Sequence, residues 1–111
     1  DGDVKIALDV DALRERRLMR LDGIAMITVI LDGKGNLAAD SMVTLSGLEA
    51  AADEDLLEAA EIAVDEAVED LSQKARRDDA PVEDAARSAL RRVLRKQTGK
   101  RPRISVHVAR V

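Results

Sequence analysis

Apolar positions along this chain fall into two periods, two and near 3.6, and the switches between them mark its elements. Residues 23–31, GIAMITVIL, are rich in β-branched side chains and predict a strand. Alternation places Ile24, Met26, Thr28 and Ile30 on one face and Ala25, Ile27, Val29 and Leu31 on the other. Both faces are nearly apolar, so cover is expected on both. The stretch DGKGN (32–36) reads as a hairpin turn. Its partner strand is expected from Leu37 to Ser46, with Val43 and Leu45 on one face and Met42 and Thr44 on the other.

The period then lengthens. Asp53 is a good N-cap, and the acids after it suit the positive end of a helix dipole. A long helix is expected from there to about Ala75, with Leu57, Ala60, Val64, Val68, Leu71 and Ala75 on its apolar stripe. Glu54, Glu58, Glu61, Asp65 and Glu69 form a second, acidic stripe. RRDDAP breaks the pattern, and a second helix follows with Pro81 in its first turn. Val82, Ala86, Ala89, Leu90 and Val93 face inward there; Arg87, Arg91, Arg92, Arg95 and Lys96 face out. Gly99 suits the position just past the helix end, and Pro102 prevents continuation.

The last segment alternates again, with Ile104, Val106 and Val108 on one side and Ser105, His107 and Ala109 on the other. The predicted fold is α+β, a three-stranded sheet in β-β-α-α-β order with two helices packed on one face. The last strand completes the sheet, so its removal is expected to unfold the domain. Residues 1–21 read as a linker to a missing region, packed or not, and 22–111 as the α+β domain. Asp1 in place of Met predicts a piece of a longer protein.

Composition narrows the chemistry. The chain has 111 residues, enough for one domain with a core. Phe, Tyr and Trp are absent. The core is therefore aliphatic, with many alanines that favour close helix–sheet contact over a large pocket. Without cysteine there is neither a disulfide framework nor a thiolate metal site, in keeping with a reducing, cytoplasmic setting. No apolar run approaches the length of a membrane span, so no membrane partner is expected. The net charge of −4 conceals an asymmetry: Glu49 to Asp70 holds ten acids and no base, and Ala85 to Val111 nine Lys or Arg and no acid.

Catalytic constellations are missing. One histidine excludes a His-based zinc site. The acidic stripe is expected to be solvated or paired with the arginine-rich helix. Ser105 and His107 share a strand face, but no orienting acid or oxyanion nest accompanies them. DGKGN fails as a calcium loop, because Lys34 and Val43 stand where oxygen ligands belong. It fails as a phosphate loop because strands flank it. The basic tract RRVLRKQTGKRPR remains a candidate for RNA contact through Arg91, Arg95, Lys100, Arg101 and Arg103, although no aromatic ring is present to stack a base. If both helices cover one sheet face, then Ile24, Met26, Ile30, Met42 and His107 on the other are left for a partner surface.

The stretches LRERRLMRLDGIAMITVILDGKGNL, VTLSGL and LRRVLRKQTGKRPRISVHVARV resemble the C-terminal domain of bacterial ribonuclease J. In that family a helix leads through a T-x-R-R-P turn into the final strand. Thr98, Lys100, Arg101 and Pro102 stand in that pattern here, with lysine for the first arginine. The similarity covers about residues 12–111. Ser46 replaces a basic residue common in the family, and RISVHVARV is more polar than the usual last strand. The resemblance implies a parent with metallo-β-lactamase and β-CASP domains, a zinc-dependent 5′-to-3′ exoribonuclease and endoribonuclease of RNA decay and maturation. Its zinc ligands lie in the missing domain, so no cofactor is expected in this chain. The resemblance further implies a role for this domain in oligomer assembly and full activity of the parent. Self-association and contact with the parent's catalytic domain are the partners expected, with RNA or docking of another RNA-decay protein as alternatives.

Overall fold

The central strand, β1 (Ile24–Leu31), has a neighbour on each side. The computed structural model describes residues 23–47 and 53–111. The expected linker 1–21 lies outside them. β2 (Met42–Ser46) runs antiparallel to β1, and β3 (Arg103–Arg110) runs parallel to it, giving a sheet of order β2-β1-β3. Between β2 and β3 the chain forms α1 (Glu54–Glu69), the four-residue α2 (Gln73–Arg76) and α3 (Asp79–Thr98). This is the α+β layer that the periodicity predicts, with one short helix added.

Two boundaries and the buried side of each long helix differ from expectation. β2 begins at Met42 and not at Leu37. Leu37 makes only an isolated bridge to Leu31, while Met42 pairs with Thr28. Four positions on one strand, 38–41, thus answer two on the other, 29–30, and the surplus bulges out around Ala38–Ser41. The long helix ends at Glu69, and Ser72 caps a new turn by accepting the Ala75 N–H at 3.1 Å. On the helices, Leu56 and Leu94 take the buried places expected of Leu57 and Val93, which are only half-buried.

The core lies on one side of the sheet. Ala25, Ile27, Val29, Leu31, Val43 and Leu45 pack against Leu56, Ala60, Val64 and Val68 of α1 and Val82, Ala86, Ala89, Leu90 and Leu94 of α3. Alternation of period two on β1 is what sends these four side chains to a single face. At the start of α1, Asp53 accepts the N–H groups of Asp55 and Leu56 at 3.0 and 3.2 Å, satisfying donors that the helix cannot use. At the end of α3, Gly99 takes the left-handed conformation, φ +71°, and its N–H donates to Arg95 O at 2.9 Å. Thr98 Oγ1 donates to Leu94 O at 2.6 Å and accepts the Lys100 N–H at 3.0 Å, and Pro102 is buried. The T-G-K-R-P stretch is thus a hydrogen-bonded turn that aims β3 back beside β1.

The β1–β2 loop is held from both sides. Asp32 accepts the Asn36 N–H at 3.0 Å and the Lys34 N–H at 2.8 Å, and these bonds hold its carboxyl below the usual aspartate range. A depressed folded-state pKa stabilises above the unfolded value, so this contribution is lost as pH falls through the folded one. Arg76 Nη1 donates to Glu69 O and Leu71 O at 3.0 and 2.9 Å, tying the end of α1 to α2. Gly35, at φ +86°, lets α2 approach; a Cβ there would meet the Arg76 Cβ at 3.0 Å.

Candidate interaction surface

The five predicted face residues do share one side of the sheet. Register places them in rows: Ser46–Ile24–Arg103, Thr44–Met26–Ser105, Met42–Thr28–His107, and Ile30 beside Ala109. Helices cover the other side, so among the described residues this side has no layer of its own. Ile24, Met26 and Met42 are 48%, 55% and 60% exposed. His107 is exposed too, whereas Ile30 is half-buried. Among the described residues, the expected cover on both faces of β1 is therefore seen on one. The surface is an apolar centre on β1 and β2, bordered by threonine, serine, histidine and arginine. Neighbouring positions on one sheet face stand roughly 5–8 Å apart, close enough for the methionines to form one patch.

The predicted RNA-contact residues divide. Arg91 and Arg95 are exposed on α3, in the helical layer, and line an open groove of about 390 Å³ with Ser88, Arg92 and Lys96. Arg103 is on the helix-free face by alternation, and Lys100 and Arg101 are exposed in the turn between. The anticipated pairing of acidic α1 with basic α3 is not found. The ion pairs between described residues are Arg87–Asp84 at 3.4 Å and Arg110–Asp79 at 2.9 Å, and neither uses α1.

The acids of α1 reach the sheet instead. Glu61 Oε2 accepts the Val43 N–H at 3.0 Å. Asp65 accepts the Ser41 N–H at 3.2 Å and its hydroxyl at 2.5 Å, which satisfies a serine that is only 1% exposed. Pattern reading missed this role, because an acidic stripe gives no sign of which carboxylates turn toward a strand edge.

His107 is the chain's one histidine, and no group of three or more histidine or carboxylate side chains stands ready for an ion among the described residues. No described helix is long and apolar enough to cross a membrane. What the fold and its surfaces define is a small α+β layer domain whose helices cover one sheet face and, among the described residues, leave the other open. The ribonuclease J C-terminal domain model matches residues 11–111, and the chain belongs to that family. No curated protein matches the chain.

Proposed function

We propose that this is a non-catalytic domain of a ribonuclease J-like enzyme of RNA processing and decay, which supports oligomer assembly and full activity of the parent. The observation that carries the reading is the exposure of Ile24, Met26 and Met42 together on the face opposite the helices. Grouped aliphatic and thioether side chains on a small domain gain when another surface removes them from water, by about 25 cal/mol per Å². Zinc chemistry in this reading belongs to the parent's catalytic domain, and cytoplasmic location goes with that parent.

Sedimentation equilibrium tests it, read by interference optics because the chain has no Phe, Tyr or Trp. Wild type is expected to self-associate, and Met26→Asp to weaken association about tenfold or more, since each 1.4 kcal/mol is a factor of ten. Equal monomeric behaviour of the two proteins refutes the self-association.

A second reading, RNA contact through α3 and the following turn, has its own support. Arg91, Arg95, Lys100 and Arg103 have no carboxylate within ion-pair reach among the described residues. Single-stranded RNA binding would then fall with salt, by a slope of about −0.7 per phosphate contact. Charge reversal of Arg91 and Arg95 together is expected to reduce that slope by about 1.4. An unchanged slope counts against this reading.

A further inference from the structure

The two edges of the sheet are treated differently. On β2, a strand of five residues, carboxylates of α1 take up the outward N–H of Val43 and that of the adjoining Ser41. On β3, eight residues long, the Arg103 N–H donates to Gly23 O at 3.0 Å and the Val111 N–H to Leu31 O at 2.8 Å. The ladder between them is unbroken, from Ile24↔Arg103 to Leu31↔Arg110. Odd-numbered residues of β3 thus bond to β1. The N–H and C=O groups of Ile104, Val106, Val108 and Arg110 point away from the sheet. Among the described residues no further strand lies beside this edge, and no proline or bulge interrupts it; its charged side chains, Arg103 and Arg110, stand at its two ends.

We propose that the β3 edge pairs antiparallel with the β3 edge of a second copy, across a two-fold axis at His107, joining two three-stranded sheets into one. The proposal rests on the self-association reading above and adds to the face contact a second one, at the sheet edge beside it. Register argues for it. Centred on His107, Val106 lies against the second Val108, and Ile104 against the second Arg110, so every outward group has a counterpart. Arg103 falls opposite Val111, and no arginine opposes an arginine. Centred on Val106, Arg110 would face Pro102, which has no N–H to give. Ile104, Val106 and Val108 pack only partly buried at the margin of the core, and the second copy's same residues would cover them. That self-complementarity is why the occupant is another copy of this chain. Each copy brings a basic α3, so added salt is expected to tighten the contact, whereas it would weaken capture of an acidic strand.

Two experiments on the whole chain decide it. Val106→Pro removes an outward donor and no bond to β1, so it is expected to weaken association about tenfold or more while the circular dichroism spectrum stays near wild type. His107→Cys places the only thiol of the chain on the axis. Facing residues there are separated by about 4.5 Å between Cα atoms, within disulfide reach. Oxidation is expected to link His107→Cys into a dimer and to leave Ser105→Cys, which would face Ala109, largely unlinked. Equal linking of the two cysteine variants overturns the proposal. A dimeric Val106→Pro beside a monomeric Met26→Asp also overturns it, yet leaves association through the face standing. A wild type that stays monomeric removes both.

Discussion

Ending the chain after Pro102 is expected to abolish the fold. β3 pairs with β1 along its whole length, eight residue pairs in all. At about 1 kcal/mol net for each hydrogen bond, that ladder alone rivals the stability of a typical domain, about 5–15 kcal/mol. The deletion also strips Ile104, Val106 and Val108 from the margin of the core and turns β1 into an unprotected edge. The caps of α1 and α3 survive it, so residual helix is expected without cooperative melting. A truncated chain that melts in a single sharp transition near the wild-type midpoint would contradict the central place given to this strand.

Leu94→Ala is the point substitution with the largest expected effect, a loss of about 2–5 kcal/mol. Leu94 is fully buried beneath α3, where its removal leaves a cavity. For a domain of this size the melting temperature should fall by roughly 10–30 °C. Val93→Ala, at the half-buried neighbouring position, is expected to cost well under half as much. Thermal melts of both variants check the orientation of α3, and the reverse ranking would mean that the helix is rotated by about one residue, 100°.

That contrast marks how far pattern reading goes. β-branched content identified β1 and alternation identified β3, and the period of two divided each strand's side chains into the correct two sets, because that period has no neighbouring solution. On a helix, successive residues differ by 100°, and apolar pairs such as Leu56-Leu57 and Val93-Leu94 satisfy the stripe equally well. Packing against the sheet chose between them. The bulge after Leu37 was hidden for another reason: Ala38, Ala39 and Asp40 are poor strand formers, but nothing in their order says how many positions the partner strand skips. The end of α1 was masked by Leu71 and Ala75, whose spacing continues the stripe across the Ser72 cap. Of the interaction surface, the apolar members were legible from alternation. The escape of α3's arginines from α1's acids was not, since it depends on which way each helix faces once docked.

The parallel pairing of Ile24 with Arg103 joins positions 79 apart in the chain. During translation, β1 therefore leaves the ribosome long before its neighbour exists. Ile27, Val29 and the rest of its helix-side face wait beside a short hairpin partner until synthesis has passed Arg110. Such distant closure is slow and leaves the aliphatic face of β1 exposed to aggregation in the nascent chain.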